Sequence, residues 1–354
     1  MSFACSESTT TMNGVPLVSS APVICPGHSR PVAGIEFSDD TDDGVFLLSA
    51  CHDKTAQIRS GDTGDWIGTF EGHKGAVWGA ALNKPATRAA TASGDFSAKV
   101  WDALTGDELL ELKHRHIVRC CDWSADSTNL VTGGKEGKLR LYDINQPEAE
   151  PNMLLGHESM KAIKCLRYTP DPSGKIFLSG GDDKTLRLWD VRTLSEVKKL
   201  DFDGPVNSVE LSRDEKTLTV AAGTEVSFWD TSNYECLKKF TLGVIEANGY
   251  GVNSATLHPD RKAFVAGGGN FWVYVHDYET GEELLCNKGH HGPVYGTRFT
   301  PDGKMYASAG DDGTIRFWTF ATADEAAAAK GGAAEAPTDE APAPSADAEA
   351  VDAS

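Results

Sequence analysis

The sequence predicts an all-β fold, a seven-bladed β-propeller whose last blade is completed by an N-terminal strand. Two series of short motifs carry this prediction, because each recurs seven times along the 354 residues, at intervals of 40 to 47 residues. A repeat of this length that holds four short strands is typical of propeller blades, which close radially into a ring. One further strand-like segment precedes the first motif and belongs to no repeat of its own.

The first series is a hexapeptide that opens with Val or Ile and closes on an aromatic residue or Leu. One copy is "VWGAAL" at 77–82, and another is "VYGTRF" at 294–299. The seven copies begin at Val32, Val77, Val118, Ile163, Val206, Val252 and Val294. We expect each copy to form the first strand of a blade.

The second series centres on an anchor residue, as in "VWD" at 100–102 and "FWT" at 317–319. The seven anchors are Arg59, Trp101, Tyr142, Trp189, Trp229, His276 and Trp318. Turn signals separate the strands, since "TPDGK" at 300–304 suits a type I turn and Thr105-Gly106 suits a hairpin. No unit has the apolar spacing of an amphipathic helix, which excludes helical repeats.

The seventh unit lacks a strand after its anchor, because its regular part ends at Trp318 to Phe320. The segment "PLVSSAPVIC" at 16–25 is expected to supply that strand and so to remove an exposed sheet edge. The sequence therefore predicts a flexible Ser/Thr-rich N-terminus at 1–15 and a propeller at 16–320. Residues 321–354 are predicted to be a disordered tail, since Ala, Pro and acidic residues cannot bury enough apolar surface.

Composition narrows the function classes. The net charge of −19 disfavours direct binding to DNA, and no apolar run is long enough for insertion into a membrane. The eight Cys form no C-x-x-C motif, and the N-terminal residues do not have the pattern of a secretory signal. We therefore expect the protein to be located in the cytoplasm and also in the nucleus. No phosphate-binding loop or metal-ligand pattern occurs, which predicts neither a cofactor nor a metal.

The motifs resemble those of the WD-repeat (WD40) family over about residues 21–320. In that family a His, a Ser or Thr, an Asp and a Trp form a hydrogen-bonded tetrad that stiffens a blade. The matching sets are His73, Thr91, Asp95 and Trp101 in blade 2, His157, Ser179, Asp183 and Trp189 in blade 4, and His290, Ser308, Asp312 and Trp318 in blade 7. Blades 5 and 6 depart from the pattern. The resemblance implies a structural role for these His residues and not a catalytic one.

The same resemblance implies where partners bind, because the second residue of each hexapeptide is often exposed at the narrow rim. Trp78, Arg119, Lys164 and Tyr295 stand there and form the candidate partner-binding rim. Aromatic residues and Arg are common in interface hot spots. Packing within the blades is the alternative role for Trp78. The basic run "KHRHIVR" at 113–119 is either a solvated loop or a patch for an acidic peptide or RNA phosphate.

Residues 61–112, 278–285 and 289–303 resemble one family of WD-repeat adaptors, the serine/threonine kinase receptor-associated proteins. The resemblance implies a non-catalytic scaffold, a monomer within a larger complex. The partners it implies are SMN and Gemin-type subunits that assemble spliceosomal snRNPs, a cold-shock-domain RNA-binding protein, and receptor kinases. Both chain ends depart from that family. Two alternatives stay open: the WD-repeat subunit of translation initiation factor three, and a propeller enzyme.

Overall fold

A computed structural model describes residues 11–12, 15–158, 160–169, 175–243 and 251–322. Its strands are numbered in chain order, and the first two, β1 (Thr11–Met12) and β2 (Val15–Pro16), pair only with each other. All others belong to seven four-stranded antiparallel sheets, so the predicted seven-bladed propeller is confirmed. No helix among the described residues has the length and apolar character of a membrane span.

Each blade uses four strands that follow one another in the chain, except the last. The strands of blades 1 to 4 are β4 (Val32–Phe37), β5 (Phe46–Cys51), β6 (Ala56–Ser60) and β7 (Trp66–Phe70); β8 (Val77–Leu82), β9 (Arg88–Ser93), β10 (Ser97–Asp102) and β11 (Glu108–Lys113); β12 (Val118–Trp123), β13 (Asn129–Gly134), β14 (Lys138–Asp143) and β15 (Asn152–Leu155); and β16 (Ile163–Tyr168), β17 (Ile176–Gly181), β18 (Thr185–Asp190) and β19 (Ser195–Asp201). The strands of blades 5 to 7 are β20 (Val206–Leu211), β21 (Thr217–Ala222), β22 (Glu225–Asp230) and β23 (Cys236–Thr241); β24 (Val252–Leu257), β25 (Ala263–Gly268), β26 (Trp272–Asp277) and β27 (Glu283–Lys288); and β28 (Val294–Phe299), β29 (Met305–Gly310), β30 (Ile315–Thr319) and β3 (Val23–Cys25).

Blade 7 is closed by the N-terminal segment, as the sequence predicts. Strand β3 pairs antiparallel with β30, with Val23 opposite Phe317 and Cys25 opposite Ile315. The contact continues below the strand, where the Val18 backbone N–H donates to the Ala321 carbonyl at 3.0 Å. Because β3 covers the outer side of β30, the third strand of the last blade is not an open edge.

A β-bulge occurs at the same place in all seven blades. The register between the first and second strands shifts after the first hexapeptide residue, so that the second residue has no partner opposite it. In blade 2 the unpaired residue is Trp78, and in blade 3 it is Arg119. Bulges re-aim a side chain out of the ladder. The predicted rim positions are therefore the bulged residues of the innermost strands.

The two faces of the ring are defined by the strand directions. Neighbouring strands run antiparallel, so the loop that enters a blade lies at the same end as the turn between its second and third strands. Backbone hydrogen bonds join the two, from His52 N–H to the Pro31 carbonyl at 2.9 Å and from Gly94 N–H to the Ala76 carbonyl at 2.8 Å. We call this the upper face and the opposite one the lower face.

The core lies between successive blades. Trp101 packs with residues of blade 1, including Leu48 and Phe70, and Trp189 packs with blade 3 residues such as Leu139. Both indoles are 1% exposed. Burying such large side chains at each junction joins the blades into one body.

Candidate functional site

The four predicted residues of blade 2 form one buried hydrogen-bonded chain. The Trp101 indole Nε1 donates to Thr91 Oγ1 at 2.8 Å, and His73 Nε2 lies 2.7 Å from the same hydroxyl. On its other side, His73 Nδ1 lies 2.8 Å from Asp95 Oδ2. Because the Thr91 oxygen accepts from Trp101, its proton points to Nε2, and the His73 proton sits on Nδ1 and faces Asp95.

The surroundings of Asp95 and His73 fix the protonation state of each side chain. Burial alone raises the pKa of Asp95, but hydrogen bonds from Ser97, the Lys74 backbone and His73 together bring the pKa down to about 2. Burial lowers the pKa of His73 in spite of its bond to Asp95. At neutral pH the pair is therefore a neutral imidazole hydrogen-bonded to a carboxylate. It has a structural role and does not act as a titrating acid–base pair.

Blades 4 and 7 repeat this arrangement. The distances from His157 are 2.8 Å to Asp183 and 2.6 Å to Ser179, which also accepts from Trp189 at 2.8 Å. In blade 7 the corresponding residues are His290, Ser308, Asp312 and Trp318, with distances of 2.8 to 3.1 Å. The structure thus brings together all three of the sets that the sequence singles out.

Blade 1 keeps three members of the set and replaces the fourth. His28 lies 2.8 Å from both Asp53 Oδ2 and Ser49 Oγ, although the anchor is Arg59. The buried guanidinium donates instead to the carbonyls of Pro26, at 2.5 Å, and Gly64, at 3.1 Å. The bond to Pro26 therefore holds the segment that follows β3 against blade 1. Sequence analysis identifies Arg59 only as one of the seven anchors and does not predict this role.

Blades 3, 5 and 6 depart from the tetrad in different ways. In blade 3, Glu136 pairs with Arg140 at 3.0 Å instead of with a His. In blade 5 the Trp229 indole donates to Ser227 at 2.8 Å, and in blade 6 His276 Nδ1 meets the Gly281 carbonyl at 3.1 Å. Their strands are nevertheless complete, so four-stranded blades form without the full tetrad.

The four predicted rim residues line one mouth of the axial channel, around a cavity of about 120 Å³. The Arg119 guanidinium lies over the Trp78 ring, with its carbon 4.1 Å from the ring centre. Lys164 Nζ lies 2.6 Å from Asp182 Oδ1, and the Tyr295 hydroxyl donates to Asp311 Oδ1 at 3.1 Å. All four are half-buried. Each is therefore already engaged with a neighbour.

The channel is lined by a belt of charged side chains that sequence analysis missed. They stand at the fifth position of five hexapeptides, as Glu36, Asp122, Arg167, Glu210 and Arg298, whereas the other two hexapeptides hold Ala81 and Thr256 there. The Arg167 guanidinium, from blade 4, reaches across the channel to Glu36 of blade 1, and it lies 3.7 Å from Asp122 Oδ1. The signal was available, because five of these seven aligned positions are charged, but the sequence does not show which pairs meet.

Burial raises the pKa of two acidic side chains in the belt. It raises the pKa of Asp122 to about 7, although Arg167 acts in the opposite direction. It also raises the pKa of Glu210, which accepts from Thr256 Oγ1 at 2.9 Å and lies 3.7 Å from Arg298 Nε. The belt separates the upper cavity from one of about 240 Å³ that opens on the lower face. Its arginines are paired with acids and so leave no surplus cation for an anionic ligand.

One cluster in blade 1 has the residue types of a metal site, namely His28, Cys51 and Asp53. Burial raises the pKa of the Cys51 thiol to about 12, so the sulfur is protonated at neutral pH. The Asp53 N–H points to this sulfur at 3.4 Å, as the Asp95 N–H points to Ser93 in blade 2. The thiol thus takes the place of a turn hydroxyl, and His28 and Asp53 already bind each other.

The seven bulged strands, the tetrads and the closing strand define a propeller built of WD repeats. Residues 281–319 match the family described as "WD domain, G-beta repeat", and residues 81–261 match "Nucleolar protein 10-like, N-terminal domain". The chain belongs to the serine-threonine kinase receptor-associated protein family. It is 50% identical to the rat member over 84% of this chain and 82% of the relative.

More distant relatives extend this picture. The Dictyostelium discoideum protein of the same family is 45% identical over 84% of this chain and 98% of its own length. Eukaryotic translation initiation factor 3 subunit I of Culex quinquefasciatus is 27% identical over 84% of this chain and 96% of the relative. The resemblance to both families seen in the motifs therefore holds over most of the chain, and it is much stronger for the first.

Proposed function

We propose that this chain is a non-catalytic scaffold that holds partner proteins in a larger complex. The observation that carries the proposal is 50% identity over 82% of a curated relative whose name describes association with another protein. The geometry supports it, because the His–Asp pairs are fixed struts inside the blades. The half-buried aromatic and basic residues face the upper mouth of the channel.

The finer proposal is that the complex is of the SMN type, with Gemin-like subunits, and assembles spliceosomal snRNPs. An RNA-binding protein and receptor kinases are further partners under this proposal, and the chain is placed in the cytoplasm and the nucleus. The motif resemblance of residues 61–112, 278–285 and 289–303 supports it. Imaging of the tagged full chain tests the location, and exclusion from either compartment would contradict that part.

Affinity purification of the tagged full chain from its own cells, followed by mass spectrometry, tests the partner set. Recovery of SMN and Gemin-type proteins in stoichiometric amounts is the expected result. Recovery of initiation-factor subunits in their place would assign the chain to the translation machinery. Recovery of no partner above the level of an unrelated propeller would contradict the scaffold role itself.

A further inference from the structure

The upper face carries an unequal distribution of charge around the ring. In blades 1 to 4, every loop that enters a blade holds one exposed cation, namely Arg30, Lys74, Arg115 and Lys161. The turns between second and third strands add Lys54, Lys135 and Lys184, which are exposed as well. The corresponding loops and turns of blades 5 to 7, where described, hold no Lys or Arg and include Asp203 and Asp311.

None of these seven cations forms an ion pair within the described part of the chain, and they outnumber the two exposed acids of the same loops, Glu71 and Glu158. Many other Lys and Arg residues are paired, for example Lys99 with Glu108 at 2.6 Å and Lys238 with Glu279 at 2.6 Å. The chain as a whole has a net charge of −19, so this sector differs in sign from the average surface of the protein. Unpaired cations concentrated on one side attract an acidic partner.

A strained aromatic residue lies within the same sector. Phe96 follows the tetrad Asp95 in the turn of blade 2, where it has a φ of 70° and is 46% exposed. The equivalent residues of blades 3 and 7 are Gly137 and Gly313, which adopt this left-handed backbone without a steric cost. Blades 1 and 4 place Lys54 and Lys184 there, with φ of 78° and 63°, so Phe96 is the aromatic member of a strained set in this sector. A large exposed side chain in that conformation destabilises the free protein, and such strain is concentrated at binding sites.

From these observations we infer that the upper face of blades 1 to 4 binds an extended acidic segment of a partner protein. The seven cations pair with its carboxylates, and the Phe96 ring takes one apolar or aromatic side chain of the same segment. The inference deepens the scaffold function proposed above and rests on it. It moves the interface outward from the channel mouth, where the four rim residues are engaged with one another and with Asp182 and Asp311.

Single-stranded RNA fits this surface less well. RNA-binding grooves combine cations with aromatic rings whose faces are open for stacking on bases. Here the Trp78 ring is covered by Arg119, and His52 packs against it with ring centres 4.2 Å apart. Among the described upper-face loops of blades 1 to 4, Phe96 is the one exposed Phe, Tyr or Trp, so successive bases would find no second ring to stack on.

The test uses the purified full chain and two fluorescent peptides, a glutamate peptide with one central Phe and the same peptide with Ala in its place. Fluorescence anisotropy should show saturable binding that weakens as salt is raised. The triple variant Lys54→Glu, Lys74→Glu, Lys135→Glu should bind about tenfold or more weakly, since like charges then face each other. The matched triple Arg88→Glu, Lys175→Glu, Lys216→Glu, on the lower face, should bind within about twofold of the wild type.

Phe96 has a matched control in blade 6. Phe271 occupies the same turn position, with a φ of 71° and 40% exposure, but it lies outside the basic sector. Phe96→Gly should abolish the preference for the Phe peptide over the Ala peptide, whereas Phe271→Gly should preserve that preference. Both glycines relieve the strain of the left-handed turn, so neither variant should melt below the wild type.

Three results would overturn the inference: no saturable peptide binding, equal losses in the two triple variants, or tighter binding of a single-stranded poly(U) RNA than of either peptide. The scaffold function is tested separately, by partner recovery from cells. If the upper-face triple variant recovers partners as well as the wild type does, the scaffold stands and the interface assigned here is wrong.

Discussion

Arg119 and His52 contact the same indole, that of Trp78, at distances of 4.1 and 4.2 Å between the centres of the groups. The three residues come from blades 3, 1 and 2, so their contacts join three successive blades at the upper mouth of the channel. The role of Trp78 in blade packing, which the sequence left as an alternative, is thus visible in the structure.

Trp78→Ala should lower the free energy of unfolding by about 1–2 kcal/mol, because it removes a cation–π contact and a ring contact. Chemical denaturation monitored by circular dichroism measures this loss. Trp66, which is 59% exposed on the outer strand of blade 1, provides the control. Trp66→Ala should change stability by less than about 0.5 kcal/mol. Equal losses in the two variants would contradict the role assigned to Trp78.

Asp95→Ala should destabilise the protein by about 1–3 kcal/mol, since it leaves a buried His73 N–H without its acceptor. Asp39 is the comparison, because its 2.7 Å contact with Arg213 is exposed on the lower face. An exposed ion pair of this kind contributes about 0–1 kcal/mol, so Asp39→Ala should have little effect. Urea titrations of both variants decide the matter, and a similar midpoint for the two would argue against the tetrad as a source of stability.

Asp122→Asn should become more stable relative to the wild type as the pH rises from about 4 to 8. The folded-state pKa of Asp122, about 7, lies above its ordinary value, so its contribution to stability is complete at low pH. That contribution is lost as the pH rises through about 7, because a buried carboxylate then forms beside Glu36. The amide of Asn stays neutral and avoids this loss. Thermal melts across this pH range provide the measurement.

Asp95→Asn should show the opposite trend, which makes it a matched control for Asp122. The folded-state pKa of Asp95 is about 2, below its ordinary value. Its contribution is therefore present above about pH 4 and lost as the pH falls through 2. The advantage of the wild type over Asp95→Asn should shrink only in acid. A parallel pH profile for the two variants would be inconsistent with the burial pattern described above.

Deletion of residues 1–25 should lower the melting temperature by several degrees and promote aggregation, because it uncovers the outer edge of β30. It also removes Cys25, which is 4% exposed and packs with Ile315 and Phe317. Deletion of residues 323–354 provides the control and should leave the melting temperature nearly unchanged. Differential scanning calorimetry on the three proteins tests this. An unaltered melt after the N-terminal deletion would show that β3 does not stabilise the ring.

The sequence alone predicted the seven blades and the closing strand, because recurrence at a fixed interval is a property of the chain itself. It also selected the complete tetrads, through the resemblance of His73 and its three partners to the WD-repeat pattern. The replacement of a Trp by Arg59 could not be interpreted in the same way. Its guanidinium binds carbonyls of Pro26 and Gly64, and a carbonyl acceptor has no sequence signature.

The pairing of charges within the belt could not be predicted from the sequence, for a different reason. Arg167 and Glu36 stand 131 positions apart in the chain, in blades that are not neighbours. Their contact depends on the width of the channel, which is set by how the seven innermost strands pack. The strain at Phe96 was likewise invisible, because nothing in the sequence shows that a Phe occupies a left-handed turn.

The contact between Arg167 and Glu36 also has a mechanical consequence. A ring held only at its circumference widens when opposite sides are pulled apart, because each junction opens a little. The ion pair between Arg167 and Glu36 crosses the channel and resists this widening from the inside. A force that pulls blade 1 outward is then shared with blade 4 on the far side of the ring.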